Sequence, residues 1–168
     1  MKRIVLLMVG ILAALVVAAP MALAQSDNGA APQEYSVTYG PEVIAQFPGH
    51  CSFPMQLEVS GKTKTIHQGN GGMIITSPGA FATATNLANG EHATFNVTGS
   101  AHKSILANGN VKTVMTGRNF ALDPVAGTFV SMGHFTYVSD PTATDPADIN
   151  VVPVSGKGRM IDVCALLS

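Results

Sequence analysis

Two cysteines, five histidines and ten carboxylates are the side chains of this chain best equipped for chemistry, and their spacing limits what that chemistry is. Neither Cys51 nor Cys164 sits in a C-x-x-C, and His50 beside Cys51 is the one close Cys–His pair. In an exported chain such cysteines read as one disulfide, with a catalytic thiol or a metal ligand as the alternative. The bridge would close a loop of more than 100 residues, worth up to about 4–5 kcal/mol in the chain-entropy account. His50, His67, His92, His102 and His134 offer neither the one-apart spacing of a strand-borne metal pair nor the four-apart spacing of a helical one. No metal site is therefore expected from spacing, and a pair assembled by the fold, such as His92 with His134, is the alternative. Asp140, Asp145, Asp148 and Asn150 concentrate oxygens in one stretch, but Pro141 and Pro146 interrupt it and no Gly supplies a turn. That pattern fits a solvated acidic loop better than a calcium loop.

Asp162 is the most informative carboxylate. It alternates with Met160 and Cys164, so if the disulfide faces inward, Asp162 is expected to do so as well. A buried carboxylate needs a partner or becomes protonated. Arg118 and Arg159, the only arginines after Arg3, are the candidates. Such an Asp–Arg pair would fix strand register, or would place a polar group at the bottom of a ligand cavity, as an isomerase- or cyclase-like enzyme requires. Serine hydrolysis finds little support: G-x-S-x-G is absent, and Ser100 near His102 has no orienting acid. No cofactor motif is evident. With no Trp and only Tyr35, Tyr39 and Tyr137, flat sugar-binding platforms are lacking too.

The elements that must position these residues begin with an address. Lys2 and Arg3 precede an apolar run over residues 4–19, and Ala22 and Ala24 supply the small-x-small triplet before Gln25. This is the pattern of a secretory signal peptide over residues 1–24, cleaved after Ala24. The mature charge falls to seven cations against ten carboxylates, or −3. With no run of cations, nucleic acid is not an expected partner. No later segment is long enough to span a bilayer, so the expected destination is outside the cytoplasmic membrane. Residues 25–34, small and polar, read as a flexible leader to a single domain over residues 35–168.

Within that domain the period is two. Cys51, Phe53, Met55, Leu57 and Val59 alternate, Ala93, Phe95 and Val97 do the same, and Thr128 to Val138 is apolar on both phases. Asn89-Gly90 and Asn108-Gly109 are strong hairpin signals. The pattern predicts an all-β antiparallel meander of about eight to ten strands. An up-and-down barrel would let Cys51 and Cys164 meet across its closure, and is preferred; a β-sandwich is the alternative. Met55, Met115, Met132 and Met160, with Phe129 and Phe135, are the candidates to line a pocket for a small apolar or amphipathic ligand.

Several segments in fixed order carry a resemblance: Cys51-Ser52-Phe53-Pro54, Thr85-Asn86 before Asn89-Gly90, Phe95-Asn96-Val97-Thr98-Gly99, Thr116-Gly117-Arg118-Asn119 and Asp162-Val163-Cys164-Ala165-Leu166. Over residues 50–168 they resemble a group of small secreted proteins of actinobacteria and similar bacteria. Asn108-Gly109-Asn110 departs from the Asp-Gly turn expected there. The resemblance implies export and paired cysteines and carries no substrate or catalytic residue. A binding or interaction module, holding an apolar ligand or meeting an envelope component, is the expected function. An extracellular barrel-type enzyme using Asp162 and a purely structural envelope protein are the alternatives.

Overall fold

The computed structural model describes residues 30–145 and 148–168. The signal peptide read over residues 1–24 and the start of the leader lie outside the described residues. The elements are β1 (Gln33–Tyr39), α1 (Pro41–Ile44), β2 (Met55–His67), β3 (Met73–Thr76), β4 (Phe81–Asn86), β5 (His92–Asn96), β6 (Gly99–Ile105), β7 (Val111–Asp123), β8 (Gly127–Ser139), β9 (Asn150–Asp162) and α2 (Val163–Leu166). Among the described residues the first strand begins at Gln33, within the stretch read as leader. Asn89-Gly90 and Asn108-Gly109 join β4 to β5 and β6 to β7, each Gly at positive φ (81° and 87°), as hairpin chemistry requires.

Every strand pair is antiparallel. β3 and β4 both pair with β2, Thr76 opposite Lys64 and Phe81 opposite Ser60, so they form one long strand interrupted at residues 77–80. β5 and β6 pair with them in turn and are interrupted at Val97 and Thr98. β7, β8 and β9 follow as neighbours, and β1 lies beside β2.

A row of glycines crosses the second half of this sheet. Gly99, Gly117, Gly133 and Gly158 stand directly opposite one another on β6, β7, β8 and β9. Gly133 and Gly158 adopt φ of 142° and 141°, a region essentially reserved for glycine. A Cβ on Gly133 would lie 2.3 Å from the Lys157 carbonyl oxygen, and one on Gly158 would lie 2.1 Å from that of Met132. Across the row the strands bend sharply. Met115 and Phe135 on one side join Ala121 and Phe129 on the other in one core, with Tyr137 and Val154. Six residues of straight strand would hold Met115 and Ala121 about 20 Å apart.

Folding along that line buries the turn end of the β7–β8 hairpin on both faces. Asn119 to Asp123 and Thr128 to Ser131 are buried without alternation. Odd-numbered residues face the core just described. Even-numbered Phe120, Leu122 and Val130 face a larger core with Met55, Leu57 and Val59 of β2 and Ala82 and Ala84 of β4. Phe95 and Phe120 meet there, ring centroids 6.4 Å apart, a separation within the range of favourable aromatic pairs.

The expected barrel does not form. β9 pairs with β8 alone and β5 with β4 alone, so among the described residues the sheet stays open. The turn end of the β7–β8 hairpin packs between the two cores, an arrangement compatible with the sandwich alternative. Cys51 and Cys164 are joined, Cα atoms 5.3 Å apart and 113 residues apart in sequence. They do so by tying the segment before β2 to α2 and not by sealing two edge strands.

Gly133→Ala is expected to destabilise the fold by about 2 kcal/mol or more, from backbone strain and collision with the Lys157 carbonyl. Gly69→Ala, which meets nothing within 4 Å, should leave the denaturation midpoint within about 0.5 kcal/mol of wild type. Thiol labelling of unreduced protein should find no free cysteine, and Cys51→Ser/Cys164→Ser should lower stability by about 2–5 kcal/mol in denaturant titrations.

Candidate functional site

Asp162 does not lie inside. The last strand ends at this residue, and its side chain caps the single turn of α2 by accepting the Ala165 amide at 2.9 Å. Asp162 is exposed, so the expectation of a buried carboxylate on the disulfide face is corrected. It rested on continued alternation to Cys164, and the chain leaves extended geometry at Val163. Arg118 and Arg159 are exposed as well, and neither makes an ion pair with a described residue.

The buried carboxylate is Asp123, which sequence reading passed over. One of its oxygens accepts the amides of Val125 (2.9 Å) and Ala126 (2.7 Å), closing the turn between β7 and β8. The other accepts the Asn150 side-chain amide of β9. Gly49 abuts the same turn, and its carbonyl accepts the Thr128 hydroxyl at 2.8 Å. The turn is thereby tied to the segment that leads into Cys51. Asp before Pro with Gly four positions on is a turn signature, and that was the signal available in the sequence.

The six residues expected to line a ligand pocket do not converge. Met55 belongs to the larger core, and Met115, Phe129 and Phe135 to the smaller. Met132 is half-buried and Met160 is exposed. Beneath the smaller core the space ringed by Phe47, Met115, Asp123, Tyr137, Asn150 and Val154 is about 10 Å³, room for about one water. Burial there pushes the Tyr137 phenol up to about 12, the Asp123 carboxylate adding to the effect and a Thr113 hydrogen bond opposing it.

Among the described residues no group of three or more His, Cys, Asp or Glu is placed to hold a metal ion. His92 lies on β5, and His134 lies on β8 opposite Lys157. The acidic stretch is spent on local structure. Asp140 accepts the amide and hydroxyl of Thr142, which hold its carboxyl below the usual range, and Asn150 turns to Asp123.

What the register does assemble is a face. Residues directly opposite in antiparallel strands share a side of the sheet. Lys64, Thr76, Ser100, Thr116, His134 and Lys157 form one continuous row across β2, β3, β6, β7, β8 and β9. Across the glycine row from it stands a second row, Arg118, Met132 and Arg159. This side is turned away from Met115 and Phe135, and His102, Lys112, Arg118, His134, Lys157 and Arg159 on it are exposed.

Between pH 10 and 12 stability should fall by an amount on the order of 2–3 kcal/mol. The unfolded chain releases the Tyr137 proton near 10 whereas the fold retains it to about 12, so raising pH favours unfolding across that interval. Urea midpoints measured through it should slope downward, and Tyr137→Phe should flatten most of the slope; half-buried Tyr35 and Tyr39, also raised by burial, add to it, and Lys103, lowered by burial, opposes it. No family model, no curated protein and no solved structure matches this chain.

Proposed function

We propose that this chain is an exported, non-catalytic interaction module that works through its surface. The observation that carries this reading is the filled interior. Beside Met115, where the expected ligand pocket would lie, the side chains leave about 10 Å³, far below the roughly 300 Å³ at which ligand pockets begin; the roomier space of about 710 Å³ along Glu34, Tyr35, Lys62 and Pro78 is a groove open at the surface. A small apolar or amphipathic molecule therefore finds no seat between Met115, Phe129 and Phe135. The enzyme alternative loses its motive, because Asp162 is exposed and engaged as a helix cap. Export is supported by the signal-peptide pattern and by the Cys51–Cys164 bridge, which is at home in an oxidising compartment. No helix among the described residues is long and apolar enough to cross a membrane.

Native mass spectrometry tests the proposal on protein purified from its own host and washed at high salt. The expected spectrum shows the mature, disulfide-bonded chain with no bound small molecule. A stoichiometric organic guest that survives the wash and leaves on denaturation would overturn it.

A further inference from the structure

The distribution of charge goes further than the proposed function, and rests on it. Seven Lys and Arg residues lie between positions 30 and 168, and six of them fall on the strand segments beyond the glycine row or one residue across it: Lys64, Lys103, Lys112 and Lys157 beyond it, Arg118 and Arg159 one residue across. Those segments, residues 64–67, 73–76, 99–105, 111–118, 132–139 and 150–159, contain no Asp or Glu at all. All but Lys103 stand on the outward face, together with His102 and His134. Lys103 points to the other side, where burial lowers its ammonium below the ordinary lysine value. The nine carboxylates among the described residues lie elsewhere: Glu34, Glu42, Glu58 and Glu91 on or beside β1, β2, β4 and β5, Asp123 buried in its turn, Asp140, Asp145 and Asp148 in the β8–β9 loop, and Asp162 at α2. Lys62, outside the face, has an acidic partner, Glu34 at 3.7 Å. A chain with net negative mature charge thus presents one sheet face with cations only.

We infer that this face binds a linear phosphodiester polymer lying across the strands. At about 4.8 Å per strand the row from Lys64 to Lys157 spans about 24 Å, and Arg118 and Arg159 stand about 10 Å apart in the row on the other side of the glycines. That is an extended track and not a pocket, so the ligand is a chain of repeated anions. Arginine forks match phosphate oxygens in pairs. Between the cations the row offers hydroxyls, with Ser100 and Thr116 already 2.7 Å apart, which suit the ester and hydroxyl oxygens of such a backbone. The face carries no Phe or Tyr on which bases could stack, as single-stranded nucleic acid binding requires. It also has no exposed large apolar side chain to enter a bilayer apart from Val152 at its corner. Poly(glycerol phosphate), which bears phosphodiesters without bases or acyl chains, is accordingly the probe.

Binding of labelled poly(glycerol phosphate) to the intact disulfide-bonded protein is followed by fluorescence anisotropy from about 50 to 200 mM salt. The expected result is saturable binding whose logarithmic salt slope is about −0.7 for each phosphate neutralised. Arg118→Gln/Arg159→Gln should weaken it at least about tenfold and reduce the slope by about 1.4, with an unchanged melting curve because both side chains are exposed. Lys62→Gln should bind as wild type. Absence of binding at 50 mM salt, insensitivity to the double substitution, or tighter binding to single-stranded DNA or phosphatidylglycerol vesicles would each overturn the assignment. A failure here with no guest in the native mass spectrum removes only this partner, whereas a retained guest removes the surface reading itself.

Discussion

The glycine row from Gly99 to Gly158 is the constraint on which the rest of the molecule depends. A flat antiparallel sheet of thirteen-residue strands (β2, β7, β8 and β9) would expose one apolar face along its whole length. At Gly133 and Gly158 the backbone adopts φ values closed to other residues, and the strand neighbours approach to where a Cβ would stand. The sheet can therefore bend within one residue per strand. Its inner face wraps the turn end of the β7–β8 hairpin, which becomes the middle layer of the packing. Phe129 is buried on one side of this layer and Val130 on the other, each removing apolar surface from water.

A bend of this kind needs its ends held. Asp123 closes the hairpin turn and takes the Asn150 amide, and Thr128 reaches the Gly49 carbonyl. The disulfide then ties the next residues of that segment to α2. From the other side, Asn86 and Asn89 both donate to the Leu167 carbonyl, while the Leu167 side chain is buried in the larger core. The chain terminus, the central hairpin and the start of β2 are thereby fastened at one end of the molecule. These contacts are polar or covalent and directional, and they set the angle at which apolar layers of little directional preference meet.

The opposite side of the bend carries a different kind of surface. Because the inner face of β6, β7 and β8 is committed to Ala101, Met115 and Phe135, alternation sends Lys112, His134 and their neighbours outward. Folding supplies no carboxylate to balance them, since Glu58, Asp123 and Asp162 lie toward the other ends of β2, β7 and β9 and the remaining described acidic residues lie in loops or in β1 and α1. A cationic face thus arises in a chain that is neither basic overall nor locally rich in charge. It is rigid, being built on paired strands, and a rigid array loses little freedom when it meets an extended ligand.

Much of the local structure was legible in the sequence. Alternation at Met55, Leu57 and Val59, the Asn-Gly turns, the doubly apolar phase of Thr128 to Val138 and the pairing of Cys51 with Cys164 follow from side-chain period, turn stereochemistry and the scarcity of cysteine. The both-sided burial of Thr128 to Ser131 is the structural counterpart of that doubly apolar phase. The openness of the sheet, the exposure of Asp162 and the burial of Asp123 were not legible, because each depends on where a strand stops or bends and not on its composition. Gly99, Gly117, Gly133 and Gly158 are separated by 18, 16 and 25 positions, and nothing in that spacing announces a row. The same holds for Lys64, His134 and Lys157. Sequence fixes which residues alternate along a strand; register, a property of pairs of strands, decides which of them become neighbours across the sheet.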